Sequence, residues 1–70
     1  MEINTLNVVA LLEDVPSRGL VRGQVGTVVE KLAPGVFEVE FSDHSGRTYA
    51  TLAAPADKLL VLHHEATEAA

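Results

Sequence analysis

A strict alternation of apolar and acidic residues is the feature that most constrains how this chain can fold. From Phe37 to Phe41 the sequence reads FEVEF, so Phe37, Val39 and Phe41 alternate with Glu38 and Glu40. Alternation with a period of two is typical of a β-strand that has one face on a core and the other in water. The pattern therefore predicts that the three apolar side chains are buried and that both carboxylates point to solvent.

Similar runs before and after this segment predict four more strands. The predicted strands cover residues 7–12, 25–32, 36–41, 47–52 and 59–62, with tight turns at 33–35 and 43–46. A helical turn is predicted at 54–58, with Pro55 at its first position. Gly26, inside the second strand, predicts a bulge or a close backbone approach. We therefore expect an all-β fold, a small five-stranded SH3-like barrel whose first and last strands lie side by side and whose short helical turn precedes the last strand.

Length and composition limit the other possibilities. The 70 residues predict one domain over residues 1–62, followed by a polar tail at 63–70 for which frayed helix and disorder both remain open. The chain has no cysteine, which excludes a disulfide or a thiolate zinc site. A net charge of −5 favours neutral or basic partners over phosphate backbones. No stretch reads as a signal peptide or a membrane span, so we expect a cytoplasmic protein without a membrane partner.

The segment around the alternating strand also carries a family resemblance. Residues 21–29, VRGQVGTVV, followed by FEVEF resemble the KOW motif of certain ribosomal proteins and transcription factors. Over residues 7–62 the chain more closely resembles a small bacterial family called domain of unknown function 4926. The residues that carry this resemblance are Val8–Leu11, Asp14–Pro16, Gly19-Leu20, Gly23–Val29, Glu38–Phe41, Asp57 and Leu59-Leu60. The resemblance implies an SH3-like fold and no established biochemical activity.

No group of residues in the sequence indicates catalysis, a metal or a cofactor. His63 and His64 are adjacent, so on a strand they would point to opposite faces, and with His44 they match no zinc-ligand spacing. Glu38 and Glu40 fit a solvated strand face better than a catalytic pair, because nothing nearby would raise either pKa. The glycine-rich segment 19–26 leads into a strand, whereas phosphate-binding loops lead into a helix. We therefore expect no enzyme activity, no cofactor and no metal site.

The loop between the first two strands is the first candidate binding site. Arg18, Leu20 and Arg22 place an apolar residue between two cations, a combination that suits contact with another protein. An equally weighted alternative is that Leu20 fixes the loop to the core. The leading hypothesis is a non-catalytic protein-binding module, a small acidic accessory or antitoxin-like subunit whose partner has a basic surface. The alternative is a KOW-type nucleic-acid-binding domain, which the acidic balance and the few aromatic residues disfavour.

The first and last strands are apolar on both faces, which predicts self-association. If Val8, Ala10, Leu12, Leu60 and Leu62 face the core, then a second apolar face remains, formed by Val9, Leu11, Leu59 and Val61. Large exposed apolar patches usually mark interfaces. We therefore expect a homodimer with this second face as its interface.

Overall fold

The computed structural model describes residues 2–63, which form one antiparallel sheet. The strands are β1 (Val8–Leu11), β2 (Val25–Ala33), β3 (Val36–Ser42), β4 (Thr48–Pro55) and β5 (Leu59–Val61). Their order across the sheet is β4-β3-β2-β1-β5, so the first and last strands are neighbours, as predicted. The predicted all-β class with five strands, a long first loop and a helical turn before the last strand is confirmed. Of the predicted tail, residues 64–70 lie outside the described residues.

One face of the sheet encloses the hydrophobic core. Phe37, Val39 and Phe41 are buried, as their alternation predicted. They pack in one cluster with side chains from the other four strands and from the first loop: Val9, Leu11, Leu20, Val28, Ala54, Leu59 and Val61. Because a single sheet covers this cluster from all its strands, the sheet must curl around it. Glu38 and Glu40 lie half-buried on the opposite, outward face.

Gly26 allows β2 and β3 to approach each other closely beside the core, as predicted for a glycine inside a strand. A Cβ atom at this position would lie 2.7 Å from Val39 Cγ1 and 2.9 Å from both the Glu40 carbonyl oxygen and Phe41 Cδ2. Two register shifts follow in the β2–β3 ladder, between Val28 and Glu30 and between Lys31 and Ala33. Bulges of this kind bend a strand and increase its twist, so they help the sheet to curl.

The region before the last strand differs from the prediction. The helical turn covers only Ala56–Lys58, and Pro55 precedes it in an extended conformation. The reason is that β4 is longer than expected, because Ala54 and Pro55 still pair with Phe37 and Val36 of β3. A second short 3₁₀ turn, Pro16–Arg18, lies in the loop between β1 and β2 and was not predicted.

The inward and outward faces of β1 and β5 were assigned the wrong way round. The four residues proposed for the dimer interface, Val9, Leu11, Leu59 and Val61, are between 0% and 8% exposed and belong to the core. Leu60, which was expected to contact the core, is 44% exposed. In a strand that is apolar on both faces, the sequence period does not specify which face is buried. The pairing decides it here, because Val9 lies opposite Gly26 and so shares the face of the core residue Val28.

Candidate functional site

The outward face of the sheet carries an apolar patch across three neighbouring strands. Ala10 of β1 lies opposite Val25 of β2 on one side and opposite Leu60 of β5 on the other. Val25 is 48% exposed and Leu60 44%. Val8 and Leu62 extend the patch by one position, and the Leu62 amide donates to the Val8 carbonyl over 2.8 Å. We call these five residues the outer apolar patch.

The same face becomes acidic where it continues onto β2 and β3. Glu40 lies opposite Thr27, and Thr27 lies opposite Val8 of the outer apolar patch. Glu38 lies directly opposite Glu30. Paired residues on antiparallel strands share a face, so Glu30, Glu38 and Glu40 form one acidic stripe beside the patch. Thr48 Oγ1 donates to Glu40 Oε1 over 2.7 Å and fixes one end of the stripe.

The structure separates the three residues predicted to bind a partner. Leu20 is only 1% exposed and packs in the core, so its assignment to an exposed binding site is wrong and the alternative, that it fixes the loop, is correct. Its backbone forms a bridge with Val15, with N–O distances of 2.8 and 3.2 Å. This bridge folds the loop back on itself, and Leu20 packs in the core, an arrangement that loop composition does not reveal.

Arg18 and Arg22 remain at the surface, in different surroundings. Arg18 Nη1 donates to the Thr51 carbonyl oxygen over 2.8 Å and so ties the loop to β4, an edge strand of the sheet. The backbone amide of Arg22 donates to Asp14 Oδ1 over 2.8 Å, and the residue is exposed. The loop also contacts β4 through Gln24 Nε2, which donates to the Tyr49 hydroxyl over 2.6 Å. Arg18, Gln24 and the half-exposed Tyr49 therefore form a mixed polar and aromatic surface, which we call the loop face.

A narrow cleft of about 170 Å³ lies between the base of the first loop and the end of β4. Its lining is mainly apolar, and Glu13 and Lys58 are the charged residues beside it. Lys58 Nζ donates to Glu13 Oε2 over 3.0 Å, and this hydrogen bond together with the carboxylate charge raises the pKa of Lys58 above its ordinary value. Because Lys58 and Glu13 are paired with each other, the cleft has no unpaired charged side chain in its lining to orient a ligand.

A wider cleft of about 330 Å³ lies between the N-terminal segment and the β2–β3 turn. Lys31 and Glu2 are its charged residues, with Phe37 and Ala56 forming part of its apolar wall. One amine and one carboxylate at an open cleft form no recognisable set of nucleophile, base and oxyanion donors.

The polar turn between β3 and β4 has a structural explanation. Asp43 Oδ1 accepts hydrogen bonds from Ser45 Oγ at 2.7 Å, from the Ser45 amide at 2.9 Å and from the Arg47 amide at 3.0 Å. The Ser45 hydroxyl and the Arg47 amide lower the pKa of Asp43, because both stabilise its ionised form. Exposed His44 lies at the tip of this turn, and within residues 2–63 no three metal-ligating side chains gather around one point.

The two adjoining features of the outward face differ in how far the sequence indicated them. The alternation in β3 correctly placed Glu38 and Glu40 on one side. Glu30 joins them only because of the bulge after Val28, which shifts the register by one residue. The outer apolar patch was missed because the faces of β1 and β5 were exchanged, although the surplus of apolar residues on both strands did indicate that one apolar face stays uncovered.

No helix among the described residues is long and apolar enough to cross a membrane.

The chain was also compared with known proteins. No curated protein and no solved structure gives a significant match to the chain. A family model, described as a domain of unknown function, matches residues 5–61, which cover all five strands. The chain therefore belongs to the family described as Domain of unknown function (DUF4926).

Proposed function

We propose that this protein is a non-catalytic protein-binding module, a small acidic accessory or antitoxin-like subunit acting in the cytoplasm. The observation that carries the proposal is the outer apolar patch, which lies on the most regular part of the sheet. Half-exposed Val25 and Leu60 lie on the same face on either side of Ala10, and exposed apolar patches of this kind usually mark interaction sites.

The patch can contribute useful binding energy. Val25 and Leu60 are each about half exposed, so covering them completely contributes roughly 1 kcal/mol per side chain. Val25 and Leu60 flank the nearly covered Ala10. Because alanine has a short side chain, a partner can approach the centre of the patch closely. Four of the five patch residues lie within strands, and the Leu62 amide is bonded to the Val8 carbonyl, so the patch is held in place and less entropy is lost on binding.

The patch also supplies a proposal for self-association. The homodimer expected from the sequence is retained, with the outer apolar patch replacing the four core residues as its interface. Two copies could cover the patch for each other in the absence of another partner.

A matched pair of variants tests the proposal. Leu60 and Leu32 are 44% and 43% exposed and both lie on strands or their ends, but only Leu60 belongs to the patch. Tagged wild-type protein, Leu60→Asp and Leu32→Asp are used for affinity purification from the native host, followed by mass spectrometry. We expect a specific protein to be retained by wild type and Leu32→Asp and lost with Leu60→Asp. Equal retention by all three would contradict docking through the patch.

The loop face supports a second candidate function, the KOW-type nucleic-acid-binding domain. Arg18 donates to the Thr51 carbonyl oxygen of β4, and half-exposed Tyr49 lies two residues away on the same strand; a cation and an exposed aromatic ring on one strand suit contact with a nucleotide. The net charge of −5 opposes this function, because affinity for nucleic acids depends mainly on neutralised phosphates. We expect no measurable RNA or DNA binding at about 150 mM salt, where the screening length is about 8 Å.

Fluorescence anisotropy with labelled single-stranded RNA separates the two functions. A micromolar, salt-dependent signal that disappears in the double variant Arg18→Ala, Tyr49→Ala would favour the nucleic-acid function. An unchanged baseline in wild type supports the protein-binding function.

A further inference from the structure

The register of the sheet arranges the outward side chains in lines that cross the strands. One line runs from Leu60 through Ala10 to Val25, from β5 to β2. The next line begins with Val8 and continues through Thr27 to Glu40, and so reaches β3. Along this direction the surface therefore changes from apolar to acidic within the width of four strands, about 14 Å at the usual strand spacing.

Among residues 2–63, no cation forms an ion pair with the acidic end of this surface. Within residues 2–63 the ion pair that forms is Lys58–Glu13, so none of the three carboxylates of the acidic stripe has a salt-bridge partner there. Lys31 lies opposite Phe37 and therefore on the other face of the sheet. Arg18 donates to the carbonyl oxygen of Thr51, which lies opposite Glu40, but among the described residues Arg18 forms no ion pair with Glu40.

One contact within the acidic stripe is unfavourable for the free protein. Glu30 and Glu38 lie directly opposite each other on adjacent strands, and like charges in that position destabilise a sheet. A cation placed between them would remove the repulsion and gain two attractive contacts. The stripe is therefore complementary to a positively charged partner.

The spacing of the strands indicates the conformation of that partner. Neighbouring strands lie about 4.8 Å apart, and one turn of an α-helix rises about 5.4 Å, so successive turns of a helix laid across the sheet meet successive strands. An extended segment repeats its side chains on one face about every 6.7 Å, which matches the strand spacing less well.

From these observations we propose that the outward face binds a basic amphipathic helix of another protein, which lies across the strands. The apolar side chains of its first turns cover the outer apolar patch, and lysine or arginine side chains of its following turns contact the acidic stripe. This inference rests on the proposed protein-binding function and names the chemistry of the partner. A second copy of the chain can cover the patch, but its residues 2–63 contain no α-helix that could place a row of cations along the acidic stripe.

The test uses a designed peptide as the partner. A helical peptide of about 14 residues spans the four strands, with leucines on one face of its first two turns and lysines on the same face of the last two. A control peptide carries glutamate in place of each lysine. Both are titrated into the ¹⁵N-labelled full-length protein while amide shifts are recorded.

Two protein variants with the same net charge separate the local effect from the overall charge. The first is Glu30→Gln, Glu38→Gln, Glu40→Gln, and the second removes three acids elsewhere, by Glu2→Gln, Glu13→Gln and Asp57→Asn. We expect the lysine peptide to shift the amides of Ala10, Val25 and Glu40, and its affinity to fall about tenfold in the first variant and much less in the second. The glutamate peptide should not bind, and added salt should weaken the binding of the lysine peptide.

The outcomes distinguish this inference from the proposed function. If Leu60→Asp abolishes binding but the two triple variants bind equally well, the patch binds a partner and the proposal that this partner is a basic helix is wrong. If neither Leu60→Asp nor the triple variants change peptide binding, or if the chemical-shift changes map to the loop face, the outer apolar patch is not the docking surface. The proposal of a basic helical partner is also overturned if no amide chemical shift changes at roughly 1 mM lysine peptide, or if the changes depend only on protein concentration.

Discussion

Individual residues show where alternation in the sequence is a reliable guide and where it is not. Phe37, Val39 and Phe41 were predicted correctly, because charged residues between them leave only one face that can be buried. Val9 and Leu11 were assigned to the wrong face, since their neighbours are equally apolar. Leu20 lies in a loop without periodicity, and its burial depends on the backbone bridge to Val15, which composition does not reveal.

Leu20 and its neighbour provide a sharp test of this burial. Leu20 is 1% exposed and Val21 is 59% exposed, although both lie in the same loop. We expect Leu20→Ala to lower the free energy of unfolding by about 2–5 kcal/mol, because it leaves a cavity in the core. Val21→Ala should change it by less than about 0.5 kcal/mol. Urea denaturation followed by circular dichroism measures both values, and equal effects would mean that Leu20 does not anchor the loop.

At the scale of strands and turns, the sequence predicted which elements exist better than where they end. All five strands were predicted in the right order, because each begins directly after a glycine or a polar residue. β4 extends to Pro55 because its last residues pair with the start of β3, a tertiary contact that outweighs the local helical tendency of the alanines. The acidic stripe depends in the same way on a bulge in β2, which places Glu30 opposite Glu38. The alternation in β3 therefore could not reveal that Glu30 belongs to the stripe.

The turn between β3 and β4 makes stability depend on pH. Hydrogen bonds from Ser45 and Arg47 lower the pKa of Asp43 below its ordinary value of 3.8. A carboxylate with a lowered folded-state pKa contributes stability that is fully present above its ordinary pKa and is lost as the pH falls through the folded-state value. We therefore expect wild type to be more stable than Asp43→Asn at pH 7 and the difference to decrease as the pH falls below 3.8.

Acid titration of thermal stability measures this dependence. Ser45→Ala removes the largest cause of the shift, so its pH dependence should lie between those of wild type and Asp43→Asn. A constant difference between wild type and Asp43→Asn down to the acid limit would show that the carboxylate charge plays no part in the turn.

For the whole molecule, the apolar surplus of so short a chain was predicted correctly and its location was not. A 70-residue domain has a small core, and residues that could have enlarged it lie instead on the outward face of β1, β2 and β5. The physical reason is that a strand in a curled sheet has only one inward face, so apolar residues on both faces must leave some side chains outside.

The oligomeric state is the prediction that belongs to this scale. We expect wild-type protein to have twice the monomer mass of 7.5 kDa by light scattering at micromolar concentration. Leu60→Asp places a charge in the outer apolar patch and should give monomers, whereas Leu32→Asp should remain dimeric. A monomer mass for the wild type would remove self-association from the proposal and leave the patch free for another protein.

The close approach of β2 and β3 at Gly26 has a consequence for mutational tolerance. Alanine, the smallest replacement, already brings its Cβ atom within 2.9 Å of a backbone oxygen, which cannot move aside as a flexible side chain could. Every larger residue contains the same Cβ atom, so position 26 accepts a single amino acid. Its neighbours Val25 and Thr27 point to the outward face and carry no such restriction. In a library of all single substitutions selected for folding, codon 26 should therefore stay invariant between two codons that vary.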